Sequence, residues 1–108
     1  YHLSHLYELG LIRAMAYGQK ECFDAGVIFA KQEGIIPAPE ANHAVKGVID
    51  AALDCKSKGE SKTILFNLCG HGHFDMQAYS DYFDNKLEKD IYNESEVNKA
   101  LESLPKVA

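Results

Sequence analysis

Two prolines, Pro37 and Pro39, stand between the two longest helical patterns of the chain and set the limit on how it can fold. Each fixes its own φ, lacks an N–H and pushes the preceding residue toward extended geometry, so Ile35 to Pro39 cannot be helical. Before this link, Gln19 to Gln32 reads as a helix with Cys22, Phe23, Val27, Ile28, Phe29 and Ala30 apolar, stopped by Gly34. Such a helix is apolar nearly all round and calls for cover on more than one side. After the link, Ala41, Ala44, Val45, Val48, Ile49, Ala52 and Leu53 keep one face apolar. This is the clearest helix in the sequence, and Gly59 ends it.

The flanking segments complete the order of elements. Leu3 to Leu9 can make a short helical turn that closes at Gly10, and Leu11 to Tyr17 reads as a short strand or an extended lead-in. The polar run Lys56 to Lys62 is a solvated connection. Thr63 to Leu68 is an apolar, partly β-branched run, which predicts a strand buried on both faces as in a parallel sheet. Gly70 and Gly72 break that run, and Asp75 suits the cap of a helix extending to about Phe83. Beyond Lys86 the composition turns acidic and polar, and Val97, Ala100, Leu101 and Leu104 form the weak stripe of a last helix. No internal repeat is present. The order implies an α/β fold, a partial parallel sheet with flanking helices. Two or three strands are few for such a sheet, so its edges need cover from further sequence or another copy.

The length of 108 residues suits one small domain. With 46% hydrophobic and 25% charged residues, the composition is that of an ordered globular protein. A net charge of -5, from 11 basic and 16 acidic residues, weighs against nucleic acid or an anionic membrane surface as partner. The longest apolar run, Ala25 to Ala30, is far short of the roughly 18 residues that span a bilayer. Cys22, Cys55 and Cys69 are odd in number and lack paired spacing, which implies free thiols and a reducing compartment. The first residue is Tyr1, so sequence upstream is expected to have been removed.

Two stretches carry candidate chemistry. One is EGIIPAPE, Glu33 to Glu40, followed by Asn42-His43-Ala44. The other is LFNLCGHGHFD, Leu65 to Asp75, a strand pattern that opens into a glycine loop ahead of a helix. In open α/β sheets ligands sit at such strand ends, where glycines let the backbone approach and a helix offers free N–H groups. Taken alone the pattern is weak, because many strand-to-helix turns need glycine for geometry only. His71, His73 and Asp75 are metal-ligand types, but residues two apart on a loop diverge and no further ligand stands at helical spacing. No metal site is assigned.

Together the two stretches resemble the tryptophan synthase β chains. EGIIPAPE with the nearby His43-Ala44 is similar to the family stretch that leads into a helix beside the cofactor, and NLCG to the family strand ending in Asn-Leu-Ser-Gly. The continuation GHGHFD, the run Ser4-His5-Leu6-Tyr7-Glu8-Leu9-Gly10-Leu11-Ile12 and the ending Leu104-Pro105-Lys106-Val107 look like the second, divergent type. One departure is at the start, where only Leu3 separates Tyr1-His2 from Ser4-His5-Leu6-Tyr7. The family usually carries a Gly- and Pro-containing stretch there.

The resemblance implies the C-terminal fragment of a fold-type II pyridoxal phosphate (PLP) enzyme that joins L-serine and indole to make L-tryptophan in the cytoplasm. It implies that Cys69 stands where the family usually has a serine facing the pyridine nitrogen, a neutral partner suited to β-replacement. Glu40 matches the glutamate near the cofactor ring, and Gly70 follows at the ring edge. The Schiff-base lysine, the phosphate-binding loop and the acid that handles indole lie upstream in the family, and no lysine here sits in a matching motif. Catalytic residues are therefore expected elsewhere, and the chain alone is expected to be inactive. The implied partners are the rest of the β chain, further copies in a homo-oligomer, and an α chain. The bland readings stand beside these: Cys69 as a small core residue, Glu40 as an acid favoured by the helix dipole, His43 as a packing residue, Cys22 and Cys55 as core or helix-surface thiols. A free-standing α/β binding or metal module is the alternative, although it would not need the proline-fixed link.

Overall fold

The structure is a computed structural model in which residues 1–87 and Lys99 are described. Four helices follow in chain order: α1 (His2–Glu8), α2 (Gln19–Glu33), α3 (Ala41–Lys58) and α4 (Met76–Phe83), the last preceded by a 3-10 turn at Gly72–Phe74. The glycine and proline signals set these boundaries. α2 ends at Gly34 (φ 70°) and α3 at Gly59 (φ 67°), both left-handed. At Gly59 the two bonds Gly59 N–H to the Lys56 carbonyl and Glu60 N–H to the Cys55 carbonyl close the helix with a Schellman motif. Gly18 starts α2, its N–H donating to the Glu21 carboxylate at 3.4 Å. Asp75 stands at the N-cap of α4 as expected, yet its side chain makes no capping bond. The last expected helix, around Val97 to Leu104, lies outside the described residues.

The core sits where α2 meets α3 on one side and α4 on another. Cys22, Phe23, Ala25, Ala41, Val45 and Tyr79 are buried there. Phe23 stands edge-on to Tyr79 with ring centroids 5.0 Å apart and stacks on Tyr82 at 5.6 Å. α2 is thus covered on two sides, as its apolar circumference requires, while Ile28 stays exposed. α1 buries no residue. Seven residues are too few to form a stable helix alone in water, and Leu3, Tyr7 and Leu9 stay exposed.

The expected sheet is not seen among the described residues. Among the described residues no strand is formed, and Thr63 to Leu68 is irregular chain rather than a buried strand. Leu65 is 97% exposed. The physical reason is pairing: a strand needs a neighbour to take its N–H and C=O groups, and the described residues provide none. The burial pattern still alternates. Ile64, Phe66 and Leu68 are half-buried, whereas Thr63, Leu65 and Asn67 are exposed. Phe66 meets Phe29 of α2 edge-on, with centroids 6.0 Å apart. One face of this segment lies on the helices and the other is bare. Leu11 to Tyr17 likewise forms no strand, which leaves the extended lead-in.

Candidate functional site

The structure brings the two motif stretches together, although more than 20 residues of α3 and its exit separate them. Pro37 and His71 form an isolated antiparallel bridge, and the Gly72 N–H donates to the Ile36 carbonyl at 2.9 Å. Gly72 is buried, and the contact leaves no room for a side chain. A Cβ at Gly72 would lie 2.6 Å from Ile36 Cγ2, 2.7 Å from the Pro37 carbonyl and 2.9 Å from Tyr79 Cε2. The glycine is there because the proline link and α4 both close on one carbon. Gly70, at φ 75°, would place a Cβ 3.2 Å from that of Ala38.

A buried polar network holds this junction from behind. Asn42, fully buried in the first turn of α3, donates from Nδ2 to the Tyr79 hydroxyl at 3.1 Å. That hydroxyl donates in turn to the Pro37 carbonyl at 2.6 Å. Burial pushes the Tyr79 phenol above its ordinary range, and the hydrogen bond from Asn42 draws it partly back. α2 makes space for the amide at Gly26, where a Cβ would fall 2.2 Å from Asn42 Oδ1. Sequence reasoning missed Asn42 and Tyr79. The one available signal was a fully polar residue beside Ala41 at the start of an apolar stripe.

The residues singled out from sequence fall on two sides of this junction. Cys69 is a free, exposed thiol, and Gly70 beside it is exposed too, so neither occupies the end of a buried strand. Glu40 is exposed at the start of α3. With His43, Cys22 and Asp81 it lines a shallow cleft of about 330 Å³ between α2, α3 and α4, which Cys69 and Gly70 do not reach. His43 is exposed there rather than packed in the core. Cys22 is buried, and Cys55 is intermediate. His71 and His73 have ring centroids 5.0 Å apart, the His73 N–H donates to His71 Nδ1 at 3.3 Å, and Phe74 flanks His71 at 5.3 Å. Among the described residues no three His, Cys, Asp or Glu side chains converge as metal ligands, and no helix is long and apolar enough to cross a membrane.

An open thiol and a bare glycine backbone, fixed from behind by a buried network, present an exposed surface rather than an enclosed pocket. The chain belongs to the tryptophan synthase β-chain family, as a segment of such a chain. It is 59% identical over 86 residues to tryptophan synthase beta chain 2 of Methanosarcina mazei, a match covering 80% of this chain and 20% of that protein. It is 57% identical over 86 residues to the tryptophan synthase beta chain of Pyrococcus horikoshii, covering 80% and 19%. To tryptophan synthase beta chain 2 of Aquifex aeolicus it is 58% identical over 82 residues, covering 76% and 19%. The chain thus spans about one fifth of the length of these relatives. No protein-family model matches it.

Proposed function

We propose that this chain is the C-terminal part of a tryptophan synthase β chain of the second type, and that it forms one wall of the PLP site. The observation that carries the reading is the seating of the Cys69–Gly72 loop on the Ile35–Pro39 link, in a chain 59% identical to such a protein. The residues fit the group. Cys69 offers a neutral S–H at the open face of the loop, a weak donor of the kind a ring nitrogen can accept from without becoming protonated. Gly70 presents backbone without a side chain, which lets a flat ring approach closely. Glu40 matches the family glutamate near the ring, but it lines the cleft between α2, α3 and α4 and stands apart from Cys69 and Gly70 within this chain.

When bound, PLP supplies the electron sink for replacement at the β carbon of an amino acid, here L-serine with indole as the incoming nucleophile. This chain's part is to orient the ring and keep its nitrogen neutral. The remaining walls come from the rest of the β chain, in a cytoplasmic homo-oligomer that an α chain can join. In that assembly Thr63 to Leu68 becomes an inner strand of a parallel sheet. Its alternating exposure, with one face already on α2, supports this.

The test compares the 108-residue chain with the β chain that contains it. Both are incubated with PLP, reduced with borohydride and analysed by mass spectrometry, and tryptophan formation is assayed alongside. The longer chain is expected to form tryptophan and carry one site-specific lysine adduct outside this segment. A single stoichiometric adduct on a buried lysine of the isolated chain would overturn the assignment.

A further inference from the structure

The buried network behind the loop has a job that packing alone does not explain. Asn42 is fully buried, and α2 gives up a side chain at Gly26 to admit it. An apolar residue at position 42 would fill the same space without needing a hydrogen-bond partner, and buried polar groups carry a desolvation cost. What the polar chain provides is direction. Asn42 Nδ2 to Tyr79 hydroxyl to Pro37 carbonyl, at 3.1 and 2.6 Å, ties the start of α3, the middle of α4 and the proline link at fixed angles. Tyr79 belongs to the helix that follows the glycine loop, and its ring edge limits Gly72 together with the Pro37 carbonyl. The loop is held at both ends of a short span. Its Gly72 N–H is on the Ile36 carbonyl, and its exit helix is on the next residue of the same link, Pro37.

We propose that Asn42 and Tyr79 are positioning residues for the cofactor wall: their relay to the Pro37 carbonyl fixes the register between the Ile35–Pro39 link and the Cys69–Gly72 loop, and so sets where the Cys69 thiol stands. The inference rests on the reading that Cys69 faces the cofactor ring. Tyr79→Phe keeps the ring against Phe23 and Gly72 but removes the hydroxyl that joins Asn42 to Pro37. Asn42→Ser keeps a hydroxyl too short to reach Tyr79 in the same way. The loop would then hold by the Pro37–His71 bridge with its Gly72 bond, without the relay through α4.

The experiment uses the full-length β chain. Three quantities are read for each variant: the dissociation constant for PLP, the absorbance of the bound cofactor, and amide hydrogen exchange of the 69–74 peptide with cofactor removed. Tyr79→Phe, or Asn42→Ser should the first fail to fold, is expected to weaken PLP binding by roughly tenfold, the scale of one buried hydrogen bond. It should also shift the absorbance and speed exchange at the loop by a similar factor. Val45→Ala is the matched control. It opens a cavity in the α2–α3 core while leaving the relay's own side chains in place, and should lower thermal stability without moving the absorbance or the loop exchange. If Tyr79→Phe and Asn42→Ser lower stability as Val45→Ala does and leave the other readouts in place, the network is structural and the proposal is overturned. Cys69→Ala separates this from the underlying reading. Unchanged absorbance in Cys69→Ala means the thiol does not face the ring. A shift in Cys69→Ala with none in the Tyr79 and Asn42 variants removes only the positioning role.

Discussion

The same substitution, glycine to alanine, should have opposite signs at two helical positions of this chain. At an unhindered site in a helix interior, alanine is favoured over glycine by about 0.8–1 kcal/mol, because it narrows the unfolded ensemble and shields the backbone. Gly47 in α3 is such a site, where a new Cβ would meet only Met15 Cε at 4.0 Å, an ordinary contact. Gly26 in α2 is not. There the Cβ would lie 2.2, 2.5 and 2.7 Å from the Oδ1, Cγ and Nδ2 atoms of Asn42. Those atoms belong to a fully buried side chain, so they cannot swing into solvent. Either α2 and α3 part, an overpacking cost of about 1–3 kcal/mol, or Asn42 turns and leaves Tyr79 without its donor, about 1–3 kcal/mol more for the unpaired groups. Against a propensity gain of about 1 kcal/mol, the clash wins. Gly26→Ala should destabilise by about 0–2 kcal/mol on balance, while Gly47→Ala should stabilise by about 0.5–1 kcal/mol. Urea titration followed by far-UV circular dichroism measures both in the 108-residue chain. Equal or inverted midpoints would refute the account of α2–α3 packing at Asn42.

In the full-length enzyme, Cys69→Ser should leave the cofactor spectrum and product nearly unchanged, since serine keeps a neutral hydrogen-bonding partner of similar volume. Cys69→Asp should alter both, because a carboxylate favours protonation of the ring nitrogen and side reactions over β-replacement. An identical spectrum and product ratio for the two variants would remove Cys69 from the site. The Tyr82 hydroxyl donates to the Asp24 carboxylate, and this bond, with burial, pushes the phenol up from 10.0 to about 12. A phenol whose folded value lies above its unfolded one contributes stability fully below pH 10, and loses it as pH rises through about 12. Alkaline stability titrations of the wild type and Tyr82→Phe should therefore converge over that window, and parallel curves would refute the coupling. Gly72→Ala should loosen the loop more than any change at the exposed Gly70, because one of its clashes is with the Pro37 backbone carbonyl, which cannot rotate away. Faster amide exchange at residues 69–74 in Gly70→Ala than in Gly72→Ala would count against it.

The helices were legible because their determinants are local. Gly34, Gly59 and the prolines at 37 and 39 act on their own backbone, so α2 and α3 follow from the residues that carry them. The meeting of EGIIPAPE with NLCGHG was legible only as a resemblance, since nothing in the spacing says that Pro37 will bridge to His71. The pairing of Asn42 with Tyr79 was out of reach for a related reason: their bond joins residues 37 apart, and nothing in the stretch that holds Asn42 points to Tyr79. Thr63 to Leu68 shows a different limit. An apolar β-branched run records the burial that a segment is suited to, whereas forming a strand depends on a partner for its backbone. Here α2 covers one face through Phe29 and Phe66, and Leu65 on the other face is 97% exposed. The alternation of half-buried and exposed side chains is already that of a strand with one side covered. In a chain about one fifth the length of its relatives, the sequence pattern and the bare face agree on what is wanted. Both ask for cover on that face.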